Sequence, residues 1–383
     1  MTGSPGPPGF GQARGRRQKV LAAGLDPDHW YPVEYERALP PGQTLATSFW
    51  DRPVVVWRGA DGSLHALEDR CAHRQLRLSA GVVDGCHLTC EYHGWTYRGD
   101  GRVVHYAHDL FGRAEPEVRV RDYPVTTRHG LIWIFPGDPA RAGGRSIPDI
   151  PELTGPRPWP RMDISYVWRA HHALIMDNTS DFTHAFLHRK YRPFWDARLT
   201  RHAMTEDGEG VEISYDAFIG GGRFVRHFVD RRRADTTSID ITYRYPYQCS
   251  DTGGYIRHWL FLLPMDRRTT RVFFLFYFKA DGIQLPGTGV TMPYRLTAPL
   301  MRAVSAFTAR PTLSQDGAAV EGEQQGYERH FAAPAVELNP AVRLCQDLTI
   351  RKWGEHLARD AHARRRSGDG SRPEPGPSTP QGG

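Results

Sequence analysis

"CAHRQLRLSAGVVDGCHLTCEYHGW", residues 71–95, holds two cysteines and two histidines in paired short spacings. One residue separates Cys71 from His73, two separate Cys90 from His93, and sixteen lie between the pairs. Each half offers one thiolate and one imidazole, so two loops can close on a single inorganic centre. Two cysteines with two histidines can hold zinc tetrahedrally, although Cys-x-His is tighter than the roughly two to four residues usual between zinc ligands. The same four can divide over the two irons of a [2Fe–2S] cluster, cysteines on one and histidines on the other, which raises its potential.

The flanking sequence reads as short strands and tight turns. "RPVVVWRGADGSLHALED" (52–69) gives two apolar runs around Gly-Ala-Asp-Gly, a hairpin signal. "HGWTYRGDGRVV" (93–104) repeats the device around Gly99-Asp100-Gly101, and "HGLIWIFPG" (129–137) reads as a buried strand ended by Pro136 and Gly137. Residues 28–139 are therefore expected to form an all-β domain whose loops carry the four ligands.

Cys71-x-His73 and Cys90-x2-His93, followed by Gly94-Trp95, resemble the Rieske iron–sulfur motif, and "CAHR" and "YHGW" are the forms seen in the Rieske oxygenases. Rieske proteins of the cytochrome complexes add a disulfide between their two loops; this chain has no cysteine just after either histidine. The resemblance implies a terminal oxygenase alpha subunit of the single-component alpha3 type. It would bind a Rieske [2Fe–2S] cluster through Cys71, His73, Cys90 and His93 and take O2 as co-substrate. Its electrons would come from NAD(P)H through a separate reductase, directly or by way of a ferredoxin. Cys86, four residues before Cys90, reads as a buried free cysteine, and Cys249 and Cys345 read as core residues.

With 39% hydrophobic and 11% aromatic residues, 383 residues can bury two ordinary cores. No apolar run approaches the ~20 residues of a membrane span. The formal charge is +6, but only four lysines stand among the 49 basic residues. That arginine bias reads as GC-rich coding, and no stripe of basic and aromatic residues supports nucleic-acid binding. "RGRRQKVLAAG" (14–24) has a twin-arginine look, yet its apolar run is short of the ~7–15 residues of a signal peptide. Residues 1–27 and 366–383 are poor in apolar surface and are expected to be disordered tails. Five cysteines without an export signal argue for the reducing cytoplasm.

Residues 140–365 change character. "YVWRAHHALIMDNTSDFTHAFLHRKY" (166–191) starts extended and turns helical. Strand-like runs follow at 211–219, 223–229, 238–246, 255–264 and 270–278, several alternating apolar and polar residues as one-faced antiparallel strands do. Helical stretches near 297–326 and 340–363 close the region. Within "DNTSDFTHAFLH" (177–188), His184 and His188 lie one turn apart on a helix, with Asp181 on nearly the same face. Taken alone, this is a polar helix surface or two-thirds of a metal site.

The whole reads as an α+β protein: the Rieske domain, then a catalytic domain resembling the helix-grip (START-like) fold, in which an antiparallel sheet grips a long helix. Rieske oxygenases carry Asn-x2-Asp-x2-His-x4-His at this place. Asn178, Asp181 and His184 match, while His188 comes after three residues instead of four. The resemblance makes His184 and His188 ligands of a mononuclear Fe(II); His171 and His172 sit on the strand side and fit no spacing. A facial triad needs one carboxylate, and "SQDGAAVEGEQQ" (314–325) has the family's form for it, with Asp316 first and Glu321 and Glu323 as fallbacks. The resemblance gives Asp181 the bridge between His93 and His184 across a subunit boundary, in a head-to-tail homotrimer. Asn178 is a supporting group near the iron or a helix cap.

The expected activity is O2-dependent hydroxylation of a small, partly apolar organic substrate. Demethylation, desaturation and amine N-oxygenation are alternatives at the same centre. A soluble Rieske electron carrier is the rival, and it leaves residues 156–365 without use. "HDLFG" (108–112) looks closer to oxygenases of specialised metabolism than to two-subunit arene dioxygenases. Tyr243, Tyr245, Trp259, Phe261, Phe274 and Phe276 are candidates for pocket wall or core. Arg70, Arg74 and Arg77 are placed to dock an acidic electron donor.

Overall fold

The computed structural model describes residues 6–106, 117–155, 158–219, 236–279, 283–284, 291–292 and 309–367. The expected strand at 223–229 and the "HDLFG" segment lie outside them. In the first domain ten short strands run β1 (Tyr31–Tyr35), β2 (Thr44–Phe49), β3 (Arg52–Arg58), β4 (Leu64–Glu68), β5 (Val82–Asp84), β6 (His87–Thr89), β7 (Thr96–Tyr97), β8 (Val103–His105), β9 (Val125–Arg128) and β10 (Leu131–Ile134). They form three antiparallel sheets, β1-β10-β9, β2-β3-β4 and β5-β6-β7-β8. Both hairpins expected from Gly-rich turns are present as β3-β4 and β7-β8. Gly101 turns the second at φ 81°, where a Cβ would meet the Val120 carbonyl oxygen at 2.1 Å.

The second domain is built on one antiparallel sheet of seven strands, in the order β11-β17-β16-β15-β14-β13-β12. These are β11 (Arg161–Trp168), β12 (Phe194–Met204), β13 (Gly210–Ile219), β14 (Thr237–Arg244), β15 (Tyr247–Thr252), β16 (Ile256–Pro264) and β17 (Thr270–Phe278). Strands β12 and β15 were not among the sequence expectations. Seven of the eleven side chains of β12 are exposed, and β15 reads "YQCSDT", with little apolar signal to betray it.

Helices α1 (Arg16–Val20), α2 (Pro151–Thr154), α3 (His172–Ser180), α4 (Ala309–His330) and α5 (Pro340–Ser367) complete the described elements used below. Alternation along β16 and β17 sorts the residues by face. Leu260, Leu262, Val272 and Phe274 pack with Leu174 and Met176 of α3, Val320 of α4 and Leu348 of α5. Phe261, Phe273, Leu275 and Tyr277 pack instead with Tyr35, Leu131 and Trp133 of the first domain. Trp259 joins this second cluster, so Trp259 and Phe261, two of the candidate pocket residues, face the first domain.

The expectation that residues 1–27 are a disordered tail fails from residue 10 onward. Val20, Leu21, Ala23 and Leu25 are buried in the main core. A Cβ on Gly24 would lie 2.7 Å from the Trp353 ring of α5, so the backbone passes directly over that indole. Arg16 pairs with Asp347 at 2.8 Å and Arg17 with Glu323 at 3.0 Å. The segment is too short to show a periodicity, and what covers it lies some three hundred residues away in sequence.

Buried histidines make the fold acid-sensitive. The Ala23 carbonyl can only accept, so His172 Nε2 carries the hydrogen and donates it, at 2.8 Å. Burial pushes His172 and His258 down to about 4. In the unfolded chain both titrate near 6.5, so between those values the unfolded state binds more protons. Their contribution is therefore complete above about pH 6.5 and falls as the pH drops towards 4, by up to roughly 2.7 kcal/mol per pH unit. Urea unfolding at pH 7, 6 and 5 should show midpoints falling with pH, with a shallower slope in His172→Gln.

Candidate metal centres

The two cysteine loops close in the same way. Cys71 N–H donates to the Leu76 carbonyl at 2.7 Å, and its own carbonyl accepts from Gln75 N–H at 2.8 Å. Cys90 N–H donates to the Trp95 carbonyl at 2.8 Å, and its carbonyl accepts from Gly94 N–H at 3.0 Å. Each loop thus turns through a left-handed residue four positions after the cysteine, Gln75 at φ 62° and Gly94 at φ 70°. Both cysteines are buried, whereas His73 is exposed and His93 half-buried, so the imidazole side faces solvent.

The four side chains gather in pairs. The His73 and His93 rings lie 4.5 Å apart, and Trp95 stacks on His73 at 4.7 Å. Tyr97, which sequence reading did not single out, accepts from Ala72 N–H at 2.9 Å and donates to Cys71 Sγ at 3.2 Å. A single tetrahedral zinc draws all its donors to about 3.5 Å of one another. Among the described residues no three of these four close even to 4.8 Å. Cysteines buried as one pair and histidines outside as another fit a two-iron cluster better than one ion. Burial pushes the Cys90 thiol up, so a thiolate there calls for a bound cation to offset its charge. Cys86 is exposed, not buried, in the turn between β5 and β6.

The second centre starts where α3 stops. The expected continuous helix through His188 is broken: α3 ends at Ser180, Asp181 is extended, and Phe182–Phe186 forms a 3-10 turn. Asp181 supplies the new N-cap, its carboxylate accepting from Thr183 N–H at 2.8 Å. The break is held from three sides. Gln248 of β15 donates to Ser180 Oγ at 3.0 Å, Tyr215 of β13 donates to the Ser180 carbonyl at 3.0 Å, and Cys345 of α5 lies against the same hydroxyl. His171 and His172, expected on the strand side, are the N-cap and first residue of α3.

From this turn and from α4, three donors converge. His188 Nε2 lies 3.1 Å and His184 Nε2 3.5 Å from Asp316 Oδ1, and all three donor atoms fall within 4.8 Å. Donors on one face of an octahedral ion at about 2.1 Å are separated by about 3 Å, so the set fits a facial two-histidine, one-carboxylate site. The far ring nitrogens are fixed as such sites require. His184 Nδ1 donates to the Asp181 main-chain carbonyl, and His188 Nδ1 donates to Gln315 Oε1 at 3.1 Å. Burial lowers the pKa of His184 despite Asp316. Burial also works to lower His188, but its hydrogen bond to Asp316 and that charge outweigh it and raise it. Phe194 meets both rings edge-on at 5.4 and 5.6 Å.

Asn178 Nδ2 donates to Asp316 Oδ1 at 3.4 Å, as a supporting group and not a helix cap. Glu321 accepts from Arg169 N–H and Glu323 pairs with Arg17, so neither fallback acid joins the set. The Asp181 carboxylate does not reach His184, whose partner is the carbonyl of the same residue. Arg70 is engaged by Glu68 through two hydrogen bonds, while Arg74 and Arg77 are exposed. Gln315 carried no sequence signal beyond its place beside Asp316. Gln315→Leu should weaken iron binding about 10- to 100-fold, read from competitive iron titration, with the cluster unaffected.

Two family models match the chain: a Rieske [2Fe-2S] domain over residues 29–110 and the vanillate O-demethylase oxygenase C-terminal domain over residues 168–360. The 4beta-methylsterol monooxygenase of Methylococcus capsulatus is 44% identical over 340 residues, 88% of this chain and 91% of that one. The oxygenase component of dicamba O-demethylase from Stenotrophomonas maltophilia is 35% identical over 190 residues, 47% of this chain and 53% of that one. Among solved structures, dicamba monooxygenase bound to dicamba matches with a TM-score of 0.68 at 23% identity, over 88% of this chain and 100% of that one. Pseudomonas putida NdmA with caffeine matches at 0.60 and 21% identity, over 91% and 94%. At these identities the structural likeness speaks for the fold alone.

Proposed function

The chain belongs to the Rieske non-heme iron oxygenases, and from that premise we propose that it hydroxylates a methyl or ring carbon of an apolar, sterol-type substrate. The observation that carries this reading is the convergence of His184, His188 and Asp316 on one point, in a chain that also holds a Rieske domain. The substrate class is supported by 44% identity to a 4beta-methylsterol monooxygenase along nearly the whole of both chains.

When bound, the cluster relays electrons one at a time and the ferrous ion is the place where O2 is reduced and carbon oxidised. The balance is one C–H, one O2, two electrons and two protons giving one C–OH and one water. His184, His188 and Asp316 would hold that ion, their three donor atoms lying within 4.8 Å of one another. Asp181 and Gln315 keep the imidazole Nδ1–H bonds directed away from the metal. Phe182 and Phe194 line the histidines with apolar surface and limit access of water.

The electrons come, in this reading, from a separate NAD(P)H-dependent reductase docking near exposed His73, Arg74 and Arg77. The oxygenase works as a head-to-tail homotrimer, in which Asp181 faces His93 of a neighbouring copy. All five cysteines are unpaired, as suits the cytoplasm, and no described helix is long and apolar enough to cross a membrane. The dicamba O-demethylase relative supports a second outcome at the same centre. Hydroxylation of a methyl on oxygen gives a hemiacetal that loses formaldehyde, whereas a methyl on carbon keeps its new hydroxyl.

The test is aerobic turnover by protein carrying both centres, with a surrogate reductase and NADH, on a 4-methyl sterol and, separately, on a methoxybenzoate. Mass spectrometry should find one oxygen atom from O2 in the sterol product. Formaldehyde from the methoxybenzoate with no sterol oxidation would move the assignment to O-demethylation.

A further inference from the structure

The sheet face that packs against α3 carries one polar group for which the described residues supply no full set of partners. His258 stands on β16 in register with Ser250 of β15 and Phe276 of β17. Its ring is stacked by Phe276 at 4.6 Å and by Phe274 at 5.3 Å, and Nδ1 shares a hydrogen bond of 3.3 Å with Ser250 Oγ. Nε2 is buried and, among the described residues, has no hydrogen-bond partner. Buried polar atoms are nearly always paired, and one that is not asks for a ligand or a function.

Its neighbours lead to the metal-holding residues. Phe274, stacked on His258, also meets the Trp168 ring at 5.7 Å. Trp168 Nε1 lies 2.5 Å from where a Cβ on Gly317 would stand, and Gly317 adjoins Asp316. Gln248, two residues before Ser250 on the same face, holds Ser180 immediately before Asp181. His258 is thus on the triad's side of the sheet, one aromatic pair along from it.

We propose that His258 is a specificity-determining residue, hydrogen-bonding through Nε2 to an alcohol on an otherwise apolar, fused-ring substrate whose body lies along Phe274 and Phe276. This deepens, and rests on, the sterol-type reading above. An alcohol both donates and accepts, so it satisfies Nε2 whichever way the Ser250 hydrogen bond runs. A carbonyl suits only one tautomer. A carboxylate favours the imidazolium, which burial opposes by holding His258 near 4. The flat aromatic faces of Phe274 and Phe276 beside it, themselves stacked at 6.3 Å, match a rigid ring system and add no charge.

The deciding measurement is equilibrium binding to protein loaded with both metals, without reductant. The probes are a 4-methyl sterol with its 3-hydroxyl and the matching 3-deoxy compound. Wild type should bind the alcohol at least about tenfold more tightly than the deoxy compound, since an unmet buried donor or acceptor discriminates strongly. His258→Phe should lose that preference while holding the deoxy compound within about twofold of wild type. His258→Gln, which keeps a donor and an acceptor, should restore part of the preference and serves if the phenylalanine variant does not fold. Wild type binding both probes equally, or His258→Phe weakening both alike, would overturn the assignment and leave sterol oxidation standing. Wild type binding neither probe would overturn that reading, and this assignment with it.

Discussion

Asp316→Ala is expected to lose the mononuclear iron and all measurable turnover while keeping the cluster. The loss should exceed the ~100-fold that removing an outer supporting partner costs. Asp316 Oδ1 is the point on which His184 Nε2, His188 Nε2 and Asn178 Nδ2 all close. Alanine leaves two imidazoles, too few to fix a divalent ion on one face, and deprives His188 of the partner that raises its pKa. Iron and sulfide assays should show one iron fewer per chain with sulfide unchanged. The reduced cluster should keep its EPR signal, because Cys71, His73, Cys90 and His93 share no contact with α4 among those described. Full iron content in the variant would mean that another acid, Glu321 first, supplies the third donor.

Asp181→Asn should separate metal binding from electron supply. Asparagine caps a helix as well as aspartate does, so the Thr183 N–H keeps its acceptor. The His184 Nδ1 partner is a main-chain carbonyl, which the substitution does not touch. Both metal centres should therefore load as in wild type. If the carboxylate also receives the outer N–H of His93 from a neighbouring copy, the amide replaces a charge-assisted hydrogen bond with a weaker neutral one. Turnover should then fall about 10- to 100-fold. Single-turnover measurement would locate the loss: slow cluster oxidation, with substrate bound normally, is the expected signature. Unchanged turnover would remove Asp181 from the electron route.

The chemistry was more legible in the sequence than the geometry. The Cys-x-His and Cys-x2-His spacings lie within single loops, where local backbone sets what the side chains can reach, and so could be read directly. His184, His188 and Asp316 were named through the family motif they resemble, since their spacing alone left a polar helix surface equally open, and the regular helix expected under the two histidines is broken. The capping carboxylate of Asp181 competes with helix continuation, and extended backbone wins there because Gln248, Tyr215 and Cys345 anchor Ser180 from distant elements. Tyr97, Gln315 and His258 act through partners that are close only after folding. The burial of residues 20–25 under α5 escaped notice for the same reason: nothing local in "VLAAGL" announces Trp353 as its cover.

The alternation of β16 and β17 has a practical corollary for protein engineering. Trp133 and Leu131 are both fully buried, and their cover is Phe261, Phe273 and Leu275 on the far side of the seam. A fragment cut at residue 139 to isolate the iron–sulfur half would leave that aromatic patch bare to water, and should precipitate or self-associate instead of behaving as a free-standing module. Swapping the first half for that of a relative would succeed only if those seam residues travelled with it.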